Sequence, residues 1–164
     1  MSAQLDLMAG GDLPPAFEVT VYGSPRPAGS KKAFSWKAKD GRSGVSVSDD
    51  NPNSKPWKKQ VAQVCGEAME GRKMFPKIPL QATFRFVRLR PSSQVTTKGK
   101  LTRSAPDYPI TKPDVLKLAR AIEDAMSKVV YIDDAHIVRE VIEKDFGEPE
   151  RVEIRIEAMP PRPR

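Results

Sequence analysis

The sequence predicts an α+β fold in which a mixed β-sheet carries two main helices on one face. Three observations predict it. Apolar and polar residues alternate with period two at residues 17–22, 80–86 and 152–157, which is the spacing of half-buried strands. Two intervening stretches, from about Ser54 and from about Pro113, instead space their apolar residues for one face of a helix. A further alternating run at 137–142 completes the order strand, helix, strand, helix, strand, strand.

With 164 residues, the chain is long enough for one domain with a core that needs no staples. Residues 1–15 carry Asp6 and Asp12 and no basic leader region. They read as a flexible tail rather than a signal peptide. Residues 16–158 form the domain, and 159–164, rich in proline, form a second flexible tail. The one cysteine, Cys65, has no internal disulfide partner, which suits a reducing, cytoplasmic setting. No apolar run approaches the roughly 20 residues that span a bilayer. Lys and Arg number 28 against 21 Asp and Glu, a net charge of +7. That balance favours a polyanionic partner. A membrane surface is the weaker choice, because no basic amphipathic helix or lipidation motif is present.

In the first strand Phe17, Val19 and Val21 alternate with Glu18, Thr20 and Tyr22. Residues 23–32 then read as a turn-rich basic loop, and 37–54 as polar chain with a short strand at Val45 and Val47. The first helix puts Trp57, Val61, Val64, Cys65 and Ala68 on one face. Leu80, Ala82, Phe84 and Phe86 mark the second strand, which ends at 88–91. The stretch 92–111, holding Lys98, Lys100 and Arg103, is a long loop of the kind that is usually functional. The second helix runs over about 113–128, with Pro and Asp at its start. Val115, Leu118, Ala119, Ile122, Ala125, Met126 and Val129 form its core stripe. Leu116 is off that stripe, on the polar flank beside Arg120 and Glu123. In the third strand Ile137, Arg139 and Val141 share one face and Val138, Glu140 and Ile142 the other. Gly147-Glu148-Pro149 turns the chain into the last strand.

Candidate chemistry gathers around the second helix. Asp114 precedes it, and Asp133 and Asp134 follow it in a turn. Carboxylates of this kind suit magnesium, a hard ion that takes oxygen ligands. Each residue also has a plain structural reading. Asp114 suits a helix N-cap, and Asp133 and Asp134 suit a turn. Lys117, Arg120 and Asp124 suit a solvated face with i,i+4 pairing. His136 lacks partners for a zinc site, Cys65 reads as inert core, and the Lys31-Lys32 loop lacks the glycine spacing of a P-loop.

Lys112-Pro113-Asp114-Val115-Leu116-Lys117-Leu118-Ala119-Arg120, then Asp124-Ala125-Met126, then Tyr131-Ile132-Asp133-Asp134-Ala135-His136-Ile137-Val138 together resemble the signature of the RusA Holliday-junction resolvases. That signature reads approximately K-P-D-x-D-N-L-x-K, D-A-L, Y-x-D-D-x-Q-I-V. Residues 21–31 and 53–57 resemble actinobacterial and phage members. The resemblance implies a homodimer that binds four-way DNA junctions and cuts them with magnesium and a cluster of aspartates, without a small-molecule cofactor. It places Asp114, Asp133 and Asp134 as metal ligands, and Asp114, Asp134, Arg120 and Lys117 in the catalytic set. It also marks a departure, because the second family aspartate corresponds to Leu116 and the following asparagine to Lys117. Glu123 and Asp124, on or beside the wet side of the helix, are the candidates to replace the lost carboxylate. Arg26, Lys31, Lys32, Arg88, Arg90, Lys98 and Lys100 are candidate phosphate contacts. Two other readings stand beside this one. The first is a junction binder that does not cut. The second is a different metal-dependent nuclease using Asp114 with Glu143 and Lys144.

Overall fold

The computed structural model describes residues 12–49 and 51–163, without the side chains at 31, 32, 34 and 47–49. The elements are β1 (Phe17–Tyr22), β2 (Lys31–Lys37), β3 (Ser43–Asp49), α1 (Ser54–Ala68), β4 (Leu80–Arg88), α2 (Val115–Met126), β5 (Ile137–Phe146) and β6 (Arg151–Ala158). The main sheet has the order β1-β6-β4-β5, and it is mixed as the pattern predicts. β4 and β5 run parallel, while β6 is antiparallel to both β1 and β4. Parallel neighbours need a crossover, and α2 supplies it between β4 and β5.

Period two explains which face is covered. Ala82, Phe84 and Phe86 of β4, with Val152, Ile154 and Ile156 of β6, are buried under the helices. They pack with Phe17 and Val21 of β1, with Trp57, Val61 and Cys65 of α1, and with Leu118, Ala119 and Ile122 of α2. Full burial of each such aliphatic or aromatic side chain is worth about 1.5–3 kcal/mol. The opposite face is polar. There Arg85 pairs with Asp145 at 2.6 Å and Glu153 at 3.2 Å, and Arg155 pairs with Glu18 and Glu157.

Four details depart from the sequence reading. Residues 31–37 and 43–49 form an antiparallel hairpin, where a basic loop and one short strand were expected. Lys31 and Lys32 therefore lie in a strand. These strands pair with each other and not with the main sheet, so they lack the apolar alternation that burial imposes. Ala68 is exposed and Ala121 is buried, shifting both helical stripes slightly. Finally, the register shifts between Leu80 and Gln81, which pair with Ile137 and Arg139. The extra residue, as in a β-bulge, turns Ile137 toward the core while Arg139 faces the open side. No described helix is long and apolar enough to cross a membrane.

Candidate active site

The start of α2 is fixed from below. Lys144 on β5 donates to the carbonyls of Thr111 (2.8 Å) and Pro113 (3.1 Å). Arg88, at the end of β4, donates to the Lys112 carbonyl at 3.2 Å. Asp114 occupies the N-cap position in an extended conformation, but its side chain makes no capping hydrogen bond. The carboxylate instead lines a cleft of about 400 Å³ with Arg26, Asn51, Arg88, Lys112 and Lys117. The 25–30 segment is held against this cleft by two bonds. Ala28 N–H donates to the Lys117 carbonyl (2.8 Å), and Asn51 Nδ2 donates to the Pro27 carbonyl (2.9 Å). Four cationic side chains against one carboxylate, at the positive end of a helix dipole, favour anions such as phosphate.

A second group forms further along α2. Leu116, Arg120 and Glu123 follow one another at i, i+4 and i+7, on one stripe of the helix. Leu116 is 68% exposed, as its off-stripe position predicts. The stripe leads to Glu123, which is half-buried against Glu140 of β5. Burial pushes the Glu123 carboxyl up to about 8, with the hydrogen-bonded Glu140 and the nearby Asp134 and Asp124 adding to the rise. Asp124 itself pairs with Lys58 of α1 at 2.8 Å. Of the two candidate replacements for that carboxylate, Glu123 is the one that joins other acids. Glu140 was not singled out in the sequence. Its signal was parity, since it shares a strand face with Ile142 and Lys144, the face that meets α2.

The Asp133-Asp134 turn divides its labour. Asp133 Oδ1 accepts from Ala135 N–H at 2.8 Å, capping a short 3-10 turn. This bond and the neighbouring Asp134 side chain hold the Asp133 carboxyl below its ordinary range. Asp134 contributes to the electrostatics of Glu123 and of buried Tyr131, whose hydroxyl donates to the Glu123 carbonyl at 3.1 Å. Glu123 lies nine positions after Asp114, about 13 Å along the helix. Among the described residues no group of three or more His, Cys, Asp or Glu side chains stands poised to hold a metal ion.

The basic candidates also separate. Arg26, Arg88 and Lys117 line the cleft, and Arg120 is exposed on the stripe. Lys98 and Lys100 are exposed where Val95 bridges back to Leu101. Arg90 is engaged inside the fold. It donates to Gln94 (3.0 Å) and the Pro106 carbonyl (2.7 Å), and its guanidinium lies 3.9 Å from the Phe146 ring centroid. It ties the long loop to β5. The side chains of Lys31 and Lys32 lie outside the described residues. Glu143 and Lys144 are consecutive in β5 and point to opposite faces. Lys144 bonds beneath α2, while Glu143 lies on the open face with Arg85 and Glu153, so that pair cannot converge on Asp114.

The chain is similar to the uncharacterized protein YqaN of Bacillus subtilis (strain 168), at 29% identity over 143 residues, covering 84% of this chain and 92% of that protein. The family described as Endodeoxyribonuclease RusA matches residues 21–157, from β1 to β6 and including both groups around α2. The protein belongs to the RusA endodeoxyribonuclease family.

Proposed function

We propose that the protein is a homodimeric, magnesium-dependent endonuclease that cuts branched DNA such as Holliday junctions by phosphodiester hydrolysis. The observation that carries this reading is the Glu123–Glu140 pair with Asp134 beside it, on the helix and turn that the family match covers. Carboxylate oxygens are the donor type the ion takes, and the Glu123–Glu140 pair alone supplies two. Magnesium is commonly held by one or two carboxylates, with water and phosphate oxygens completing the shell. A divalent cation would also relieve the crowding of like charges around Glu123. When bound, it would supply charge neutralisation at the phosphate and an activated water.

The chain's own groups have separable roles. Arg26, Lys112 and Lys117 attract the backbone into the cleft at the start of α2. Arg120, midway between cleft and acids, is placed to stabilise charge on the scissile phosphate. Asp114, free of capping, is available to orient a second ligand or a water at the cleft. A homodimer would present two such sites in matching orientation to a junction of near two-fold symmetry.

A second reading rests on Leu116. An exposed leucine where the family places aspartate favours a protein that grips junctions without cutting. Incubating the protein with a labelled four-way junction, with magnesium and with chelator, decides between the two. Magnesium-dependent nicking that Asp134→Asn abolishes, with junction binding intact, supports the nuclease. No cutting by the parent under any divalent metal supports the binder. Cutting by Asp134→Asn at the parent rate removes Asp134 from the site.

A further inference from the structure

Among the described residues the β2–β3 hairpin has no strand partner beyond itself, yet it holds Trp36 at 48% exposure. A lone exposed apolar side chain is ordinary; this one is seated. Trp36 pairs across the hairpin with Gly44. A Cβ built on Gly44 would lie only 3.0–3.2 Å from three atoms of the indole, so the ring rests on bare backbone that only glycine offers. The turn beyond it is tied as well. Ala38 N–H donates to the Arg42 carbonyl (2.7 Å) and Gly41 N–H to the Ala38 carbonyl (3.1 Å). Asp40 accepts from Arg42 Nε at 2.8 Å.

The hairpin is also cationic. Residues 31–49 contain Lys31, Lys32, Lys37, Lys39 and Arg42 against Asp40 and Asp49. A braced aromatic surface in cationic surroundings is the chemistry that holds an unpaired base, with charge attracting the backbone and the ring stacking on the base. Base pairs inside a duplex are stacked on both faces, whereas the pairs flanking an open branch point leave one face free. Resting on the branched-DNA reading above, we infer that the hairpin is a nucleic-acid contact in which Trp36 stacks on a base face exposed at the branch.

The test uses the full chain without divalent metal, so that DNA stays intact, and a synthetic four-way junction as the probe. The chain has two tryptophans, and the other, Trp57, is 4% exposed. The acrylamide-accessible part of the emission therefore reports Trp36. Saturating junction should quench that part and shield it from acrylamide, whereas matched linear duplex should do neither. Trp36→Ala should weaken junction binding by about 5- to 100-fold, and Trp36→Phe should retain most of it. The fluorescence on the parent stands even if Trp36→Ala disturbs the hairpin. Junction binding that leaves the accessible emission unchanged, or equal affinity in Trp36→Ala, overturns the inference alone. A parent that binds no junction overturns the branched-DNA reading and this inference with it.

Discussion

Glu123 of α2 is half-buried and feels Glu140 of β5 across the seam between helix and strand, which raises its carboxyl pKa. They come from elements that the crossover brings together, and Glu123 shares a helix stripe with Leu116 and Arg120. An acidic group thus exists on the helix that lost a family carboxylate, roughly two turns further along.

This pair predicts a pH dependence of stability. The Glu123 carboxyl rises from an ordinary 4.5 to about 8, mainly through burial and then through Glu140. Between those values the folded chain keeps a proton that the unfolded chain has released. Its stabilising contribution is therefore complete below about pH 4.5 and is lost as pH climbs through about 8. Glu123→Gln, measured by thermal midpoint from pH 5 to 9, should flatten that decline. Magnesium should raise the parent midpoint most at the alkaline end. A decline of equal steepness in Glu123→Gln would count against the pairing.

Restoring the missing acid should ease the metal requirement. Leu116 is 68% exposed in the first turn of α2, where a negative charge suits the helix dipole. Leu116→Asp should change stability by no more than about 0.5 kcal/mol. It should lower the magnesium concentration needed for half-maximal cutting through a metal shared with Asp114 at the start of α2; an unchanged requirement would confine the metal to Glu123 and Glu140, roughly two turns further along. A cleavage titration reads the second effect and urea unfolding the first.

The arginines should divide by role. Arg26→Ala with Lys117→Ala should flatten the log–log salt dependence of junction binding by about two units, roughly one per lost phosphate contact. Arg90→Ala should leave that slope unchanged, because its guanidinium faces Gln94, Pro106 and Phe146. Its effect should show instead as faster proteolysis within residues 92–110. A slope change in Arg90→Ala equal to that of the double variant would reverse the assignment.

Cys65 should be silent in the native state. Burial in the core pushes its thiol up to about 12, so the reactive thiolate is scarce at neutral pH. A chromogenic disulfide reagent should label it only after denaturant is added. Rapid labelling of the folded protein would show that α1 opens readily.

Most of the main sheet and both helices were legible because burial imposes a period on the sequence. Phe84 and Phe86, or Ile154 and Ile156, alternate because one face of each strand is covered. Of the hairpin at 31–49 only the strand around Val45 and Val47 was legible, since strands that pair outside the core need no such alternation. Ile137 was assigned to the wrong face because a single extra residue breaks parity, and no local composition announces it. In the site, Leu116 could be read as misplaced from its helical angle alone. Glu140 could not, because its meeting with Glu123 depends on which strand lies under the helix.

The order β1-β6-β4-β5 also governs when this chain can fold. β5 and β6 are consecutive in sequence, yet β4 lies between them, and β1 finds its partner only in β6. A nascent chain on the ribosome has no partner for its first strand until the last has emerged. Until then the edges of β1 and β4 that β6 pairs with remain open to chaperones and to other nascent chains. Contacts so distant in sequence slow folding, and they place the commitment step after synthesis of residues 151–158.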